Sequence, residues 1–123
     1  MKRINALIAD DIYANQFLLA SILEELNCNI NMAENGKQAL DLLKTEKVDI
    51  IFMDIEMPVM NGIEATGIIK NDDETKNIPV VALTAHNLED FMQEISGAGF
   101  DAILEKPYSY ERISEVLTKF TFE

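Results

Sequence analysis

Five short apolar runs alternate with five segments that carry apolar residues at helical spacing, and this alternation limits the possible folds more than any other feature. The predicted strands cover residues 4–9, 29–33, 48–53, 79–83 and 100–104. Parallel neighbours need long crossover connections, and right-handed crossovers place helices on both faces of a sheet. The sequence therefore predicts an α/β fold, a five-stranded parallel sheet covered by five helices.

Apolar residues at positions i, i+3, i+4 and i+7 locate the helices. The predicted helical segments are 12–26, 35–43, 63–70, 88–95 and 113–120. Asn35 and Gln38 have the spacing of a capping box at the start of the second helix. The alternation of polar and apolar residues over 29–33 is typical of a half-exposed strand, which predicts that the second strand lies at an edge of the sheet.

Composition and charge exclude several classes of protein. With 123 residues and 48% hydrophobic residues, the chain is expected to form one globular domain over residues 1–123. A net charge of −12 argues against a nucleic-acid partner, which needs a basic face.

The sequence also argues against a membrane partner. No apolar run approaches the roughly 18 residues of a membrane-spanning helix. Asp10 and Asp11 interrupt an N-terminal segment that begins like a signal peptide. The single Cys28 forms no internal disulfide, which agrees with a cytoplasmic location.

Polar side chains follow four of the five predicted strands. Asp10 and Asp11 follow the first strand, Asp54 the third and Thr84 the fourth, while Lys106 lies just after the fifth. Each also has an ordinary explanation, because aspartate and threonine cap helices and turns and lysine is common on surfaces. The carboxyl ends of parallel strands, however, meet at one edge of a sheet, where ligands bind. We therefore expect these five side chains to lie together.

This set of side chains points to phosphoryl transfer. Three adjacent carboxylates repel one another and raise one another's pKa unless a cation lies among them. Mg²⁺ prefers oxygen ligands and commonly binds one or two carboxylates together with a phosphate. An ion of this kind, an ammonium group and a hydroxyl stabilise a phosphoryl group in transfer, and a carboxylate can be the nucleophile. The residues therefore predict a Mg²⁺-dependent phosphoryl-transfer site.

With these residues in place, the whole chain resembles the receiver domains of bacterial two-component signalling. The matching residues are the pair Asp10-Asp11, Asp54 within 54–62, Thr84 within 83–85, and Lys106-Pro107. The amino-acid sequences of segments 63–66 and 81–85 are similar to those of receivers of hybrid sensor kinases. The resemblance implies a flavodoxin-like fold with strand order 2-1-3-4-5. It also implies a regulatory phospho-acceptor domain of a phosphorelay rather than an enzyme in the ordinary sense.

The resemblance assigns roles to individual residues. Asp54 would accept the phosphoryl group from a phosphohistidine of a histidine kinase or a histidine phosphotransfer protein. Asp11, Asp54 and the backbone carbonyl of Glu56 would ligate Mg²⁺ directly, and Asp10 would act through water. The Lys106-Pro107 peptide bond would be cis, which is an isomer that bonds before proline adopt at little cost.

Three further positions concern switching and the lifetime of the phosphoryl group. Receivers usually carry an aromatic residue or histidine three positions before the lysine, and here Ile103 occupies that position. Because a β-branched side chain is stiff and has no polar tip, we expect a smaller rearrangement, carried by the loop that follows the switch hydroxyl of Thr84. Glu56 and His86 flank the acceptor and are expected to set the rate of hydrolysis.

Two alternatives belong to other functional classes. A pseudo-receiver would bind partners without accepting a phosphoryl group, and the presence of every acceptor-site residue argues against it. An aspartyl phosphatase of the haloacid dehalogenase type needs a second aspartate two residues after the nucleophile. Glu56 occupies that position here, so the phosphatase ranks last.

Overall fold

A computed structural model describes residues 3–85 and 92–121, and there it confirms the predicted alternation of strands and helices. The strands are β1 (Ile4–Ala9), β2 (Cys28–Ala33), β3 (Ile50–Asp54), β4 (Val80–Thr84) and β5 (Ala102–Glu105). The helices are α1 (Tyr13–Glu25), α2 (Gly36–Thr45), α3 (Gly62–Lys70), α4 (Met92–Ala98) and α5 (Tyr110–Thr121). Within the described ranges, no helix has the length and apolar character required to cross a bilayer.

The five strands form one parallel sheet in the order β2-β1-β3-β4-β5, which confirms the predicted fold class and strand order. β2 lies at an edge, as its alternating pattern predicted, and Met32 on it is 39% exposed. β3 lies in the middle of the sheet, and all five of its residues are buried. The carboxyl end of β3 is therefore surrounded by the ends of its neighbours.

The last three strands begin one or two residues later than predicted, and each ends one residue later. The predicted strands end at the last apolar residue, but the backbone pairing between strands continues one residue further. Asp54 pairs with Leu83, and Thr84 pairs with Glu105. The N–H of Lys106 extends the ladder by donating to the carbonyl of Thr84 at 2.8 Å. As a consequence, Asp54 and Thr84 are held by the sheet itself and not by the loops that follow.

Alternate side chains of the central strands enter two apolar layers. Ile8 and Phe52 belong to the layer beneath α1 and α5, whereas Leu7 and Ile51 belong to the layer beneath α2 and α3. Period-two alternation with both faces buried is the arrangement expected of a parallel sheet with helices on both sides. Because helices pack on both faces of the sheet, the carboxyl ends of the strands, which carry the polar residues, are held in fixed positions.

Helix capping at the start of α2 differs from the prediction. The side chain of Asn35 accepts from the N–H of Gln38, but the side chain of Gln38 accepts from Glu34 instead of closing the box on Asn35. A complete capping box is formed by Asn61 and Glu64 at the start of α3. Since α3 begins directly after the loop that follows β3, this box fixes the far end of that loop.

Candidate functional site

Asp10, Asp11 and Asp54 come together at the carboxyl edge of the sheet. One carboxylate oxygen from each lies within 4.8 Å of the other two. Asp10 is 1% exposed and Asp54 is 5% exposed, whereas Asp11 is exposed to solvent. The structure thus joins Asp54 to residues that precede it by 43 and 44 positions in the sequence, because β1 and β3 are adjacent parallel strands.

The carboxylate of Asp54 is held by two donors. Its Oδ1 accepts the N–H of Glu56 at 2.9 Å, and its Oδ2 accepts from Nζ of Lys106 at 2.7 Å. The chain returns close to Asp54 at the start of α3, where a side chain at Gly62 would collide with the carbonyl of Asp54. Glycine is therefore required at position 62, because the backbone of α3 begins in contact with the backbone of Asp54.

Lys106 is the ammonium group that the acidic cluster contacts. In addition to its bond with Asp54, its Nζ lies 3.5 Å from Oδ2 of Asp10. Burial lowers the pKa of Lys106, but the hydrogen bond and charge of Asp54, together with Asp10, outweigh burial and raise the net pKa. Lys106 is therefore protonated at neutral pH.

Asp10 is less well compensated. Burial raises the pKa of its carboxyl group, and the neighbouring charge of Asp54 adds to this effect. The N–H of Ile12, which donates to Oδ1 at 2.9 Å, and the charge of Lys106 oppose the rise without cancelling it. Oδ2 of Asp10 is buried and lacks a hydrogen-bond partner among the described residues. The site therefore has more negative charge than its own donors neutralise.

This chemistry fits a divalent cation. Carboxylate oxygens in a cluster are the ligands that Mg²⁺ prefers, and a cation would offset both the repulsion and the uncompensated oxygen of Asp10. Asp10, Asp11 and Asp54 supply the carboxylates. The part that the carbonyl of Glu56 plays in such a site stays a prediction, although the N–H of Glu56 already binds Asp54.

The remaining predicted residues have different outcomes. Thr84 is buried at the end of β4, and its hydroxyl donates to the carbonyl of Ala85 at 2.8 Å. Ile103 is partly buried and packs against the cluster formed by Ile55, Ala82 and Ile95, since β5 lies at an edge of the sheet. The Lys106-Pro107 bond is cis, as predicted. His86 lies outside the described residues, so its role stays a prediction.

Gln16 is a site residue that the sequence interpretation missed. Its side chain is buried on α1, and its Nε2 donates to the backbone carbonyls of Asp10 and Ala33. These bonds fasten the end of β1 to the start of α1. A signal was present, because Gln16 lies three residues before Leu19, on the buried face of an otherwise apolar stripe.

An exposed apolar surface lies beside the acidic cluster. Its side chains are Ile12, Tyr13, Phe17 and Leu18, which we call the α1 patch. The rings of Tyr13 and Phe17 meet edge to face with centroids 4.4 Å apart. The patch begins at the residue after Asp11, so it borders the entrance to the site. Contiguous exposed apolar surface of this kind marks interaction sites.

A protein-family model and two related proteins agree on the kind of domain that this chain resembles. Residues 6–118 match the family model described as "Response regulator receiver domain". The polar-differentiation response regulator DivK of Brucella anthropi is 33% identical over 116 residues, which cover 94% of this chain and 94% of DivK. The sensor histidine kinase GacS of Pseudomonas protegens is 33% identical over 118 residues, which cover 94% of this chain but only 13% of GacS.

Solved structures give the same architecture. The receiver domain of the sensor histidine kinase PA1611 of Pseudomonas aeruginosa, with a magnesium ion coordinated in its active-site cleft, superposes with a TM-score of 0.92. It is 25% identical, and the match covers 99% of this chain and all of that chain. The Ssk1 receiver domain of Saccharomyces cerevisiae, in complex with the histidine phosphotransfer protein Ypd1, gives 0.85 at 30% identity, covering 96% and 88% of the two chains.

Proposed function

The chain belongs to the response regulator receiver domain family, and on that premise we propose that Asp54 accepts a phosphoryl group from a phosphohistidine of a histidine kinase or a histidine phosphotransfer protein. The observation that carries the proposal is a buried carboxylate at the end of a central strand, with the Nζ of Lys106 2.7 Å away and two further carboxylates beside it. We take residues 1–123 as one such receiver domain.

The transfer needs no general base. An oxygen of the Asp54 carboxylate attacks the phosphorus, the bond between phosphorus and the imidazole nitrogen breaks, and its electron pair stays on that nitrogen. The product is an acyl phosphate on Asp54. The ammonium of Lys106 stabilises the charge on the phosphoryl oxygens. The hydroxyl of Thr84 leaves the carbonyl of Ala85, to which it now donates, and bonds a phosphoryl oxygen.

Mg²⁺ is the cofactor that we propose for this site. Asp11, Asp54 and the carbonyl of Glu56 would hold it directly, and Asp10 would act through water. When bound, the ion would supply positive charge to the phosphoryl oxygens and relieve the repulsion among the carboxylates. The raised pKa of Asp10 and the magnesium ion in the cleft of the PA1611 receiver support this assignment.

A partner that carries a phosphohistidine has to approach the entrance to Asp54, which the α1 patch borders. An apolar surface of this kind fits the apolar flank of a helix beside the partner's histidine. The complex of the Ssk1 receiver with the phosphotransfer protein Ypd1 supports this class of partner. We propose that the output is a change in protein contacts or onward phosphotransfer.

Intact mass after incubation with acetyl phosphate tests the proposal. We expect the chain to gain one phosphoryl group in the presence of Mg²⁺ and none without it, and we expect Asp54→Asn to gain none. Asp101→Asn, which changes an aspartate at the opposite edge of the sheet, is the matched control and should label like the unaltered chain. Equal labelling of Asp54→Asn would overturn the assignment, and a chain that never labels would be a pseudo-receiver.

A further inference from the structure

Two buried oxygen atoms at the carboxyl end of the fold have no hydrogen-bond partner among the described residues. They are Oδ2 of Asp10 and the hydroxyl oxygen of Tyr108. The first is an acceptor with negative charge, and the second carries a proton that it can donate. Buried polar groups without partners destabilise a fold, so each one requires an explanation. The two atoms have complementary chemistry.

The position of Tyr108 brings it near Asp10. It follows Lys106 by two residues, and Nζ of Lys106 is 3.5 Å from Oδ2 of Asp10. Its ring packs against the apolar cluster that contains Ile8 of β1 and Leu19 of α1, the two elements that flank Asp10. Burial raises the pKa of Tyr108, and the charges of Asp10 and Asp54 raise it further. The phenol is therefore a protonated donor that senses both carboxylates.

Three other donors near Asp10 already have acceptors. Ile12 donates to Oδ1, and the side-chain amide of Gln16 donates to the backbone carbonyl. Lys106 is closer to Asp54, at 2.7 Å, than to Asp10, at 3.5 Å. Thr66, the other described residue with a buried unpartnered side-chain atom, lies on α3 beneath the opposite face of the sheet. Among the described residues with a buried unpartnered side-chain atom, Tyr108 is therefore the remaining donor.

We infer that Tyr108 is a positioning residue, whose hydroxyl donates a hydrogen bond to one water molecule that in turn donates to Oδ2 of Asp10. The inference rests on the proposed function, in which Asp10 holds a water molecule of the Mg²⁺ ion. A carboxylate held in this way keeps its orientation when Lys106 moves toward a phosphoryl group on Asp54. Partners of metal-binding carboxylates act by fixing that orientation.

The first test needs no metal. The chain has three tyrosines, so labelling the ζ carbon of tyrosine gives three signals, and Tyr108→Phe assigns one of them. In a mixture of H₂O and D₂O, a hydrogen-bonded buried hydroxyl that exchanges slowly splits its ζ-carbon signal. We expect splitting for Tyr108, and loss of the splitting in Asp10→Ala. Tyr13 and Tyr110, which are 67% and 44% exposed, are internal controls that should give single signals. An unsplit Tyr108 signal, or splitting that survives in Asp10→Ala, overturns the inference.

The second test measures Mg²⁺ affinity by calorimetry. Tyr108→Phe keeps the ring and removes only the hydroxyl, and we expect it to raise the dissociation constant about tenfold. Tyr110→Phe, at an exposed position two residues further on, should leave the constant unchanged. Equal affinity of Tyr108→Phe and the unaltered chain would contradict the inference. Failure of the unaltered chain to bind Mg²⁺ would contradict the proposed function instead, and the metal-free spectra would still decide the role of Tyr108.

Discussion

Two lysine–aspartate pairs of nearly equal length lie at opposite edges of the sheet. Nζ of Lys106 is 2.7 Å from Oδ2 of Asp54 at the carboxyl edge, and Nζ of Lys70 is 2.8 Å from Oδ2 of Asp101 at the amino edge. The two lysine side chains are 21% and 19% exposed. Neither the distance nor the exposure of the lysine distinguishes the two pairs, although the side chain of Asp54 is 6% exposed and that of Asp101 is 34% exposed.

The partners of each pair do distinguish them. Lys70 also donates to the carbonyls of Lys76 and Ile78, and Asp101 also accepts the N–H of Val80, so charges and donors balance. This pair joins the end of α3 to the starts of β4 and β5.

At the carboxyl edge, Lys106 faces two buried carboxylates, and Oδ2 of Asp10 remains without a hydrogen bond among the described residues. A balanced pair stabilises the fold, whereas an excess of buried negative charge attracts a cation. Perturbed groups of this kind are concentrated at functional sites.

The strongest test of the difference between the two pairs is to remove the ammonium group of each lysine in turn. Lys106→Met should slow labelling of Asp54 by acetyl phosphate by about 100-fold, because one preorganised donor to the developing charge is lost. Lys70→Met, the matched control, should label at the rate of the unaltered chain. Rates are measured by intact mass over time. Equal slowing in both variants would mean that the two pairs do not differ in function.

A second comparison removes the carboxylates and measures Mg²⁺ affinity by calorimetry. Asp11→Ala should weaken binding most, because a direct ligand is lost, and Asp10→Ala should weaken it less, by roughly 10-fold, because its contact is through water. Asp101→Ala should leave the affinity unchanged. A larger loss in Asp10→Ala than in Asp11→Ala would reverse the two roles.

The two edges should respond in opposite directions when stability is measured by urea unfolding without metal. Asp101→Ala should lower the free energy of unfolding by about 1–3 kcal/mol, because Lys70 and the N–H of Val80 lose their acceptor. Asp10→Asn should raise it at pH 7, because a buried charge is removed.

The raised pKa of Asp10 also predicts how the difference in stability between Asp10→Asn and the unaltered chain changes with pH. Since the pKa of Asp10 is raised in the folded protein, folding favours its protonated form. The advantage of Asp10→Asn over the unaltered chain is thus complete above the folded-state pKa, and it shrinks as the pH falls toward the unfolded value of about 3.9. If the stability advantage of Asp10→Asn increased as the pH falls, the interpretation that Asp10 carries a poorly compensated buried charge would be wrong.

The smallest effect is expected from substitutions at the positions two residues after Asp54 and Thr84 in the sequence. Glu56→Ala and His86→Ala should change the half-life of the acyl phosphate on Asp54, by about tenfold or less, while phosphorylation still occurs. Each side chain lies two positions beyond a site residue and can position or exclude the attacking water. Decay is followed by intact mass after removal of acetyl phosphate. Unchanged half-lives in both variants would make these residues part of the ordinary surface.

Much of the site could be predicted because it depends on strand direction. The alternation of strands and helices implies a parallel sheet, in which every strand has its carboxyl end at the same edge. The shared location of Asp10, Asp54, Thr84 and Lys106 at that edge is therefore predictable. The boundaries were less accurate, because apolar patterns record side-chain burial, whereas Asp54 and Thr84 extend the backbone ladder with polar side chains.

The sequence by itself determined the parallel α/β architecture and the residues that meet at its carboxyl edge, because hydrophobic periodicity and the crossover rule are local properties of the chain. Only the tertiary structure decided that Asp10 is buried while Asp11 is exposed, that Lys70 pairs with Asp101, and that the hydroxyl of Tyr108 is enclosed. Periodicity assigns a residue to a face. Which donor meets which acceptor depends on the packing of elements distant in sequence, and no local pattern records it.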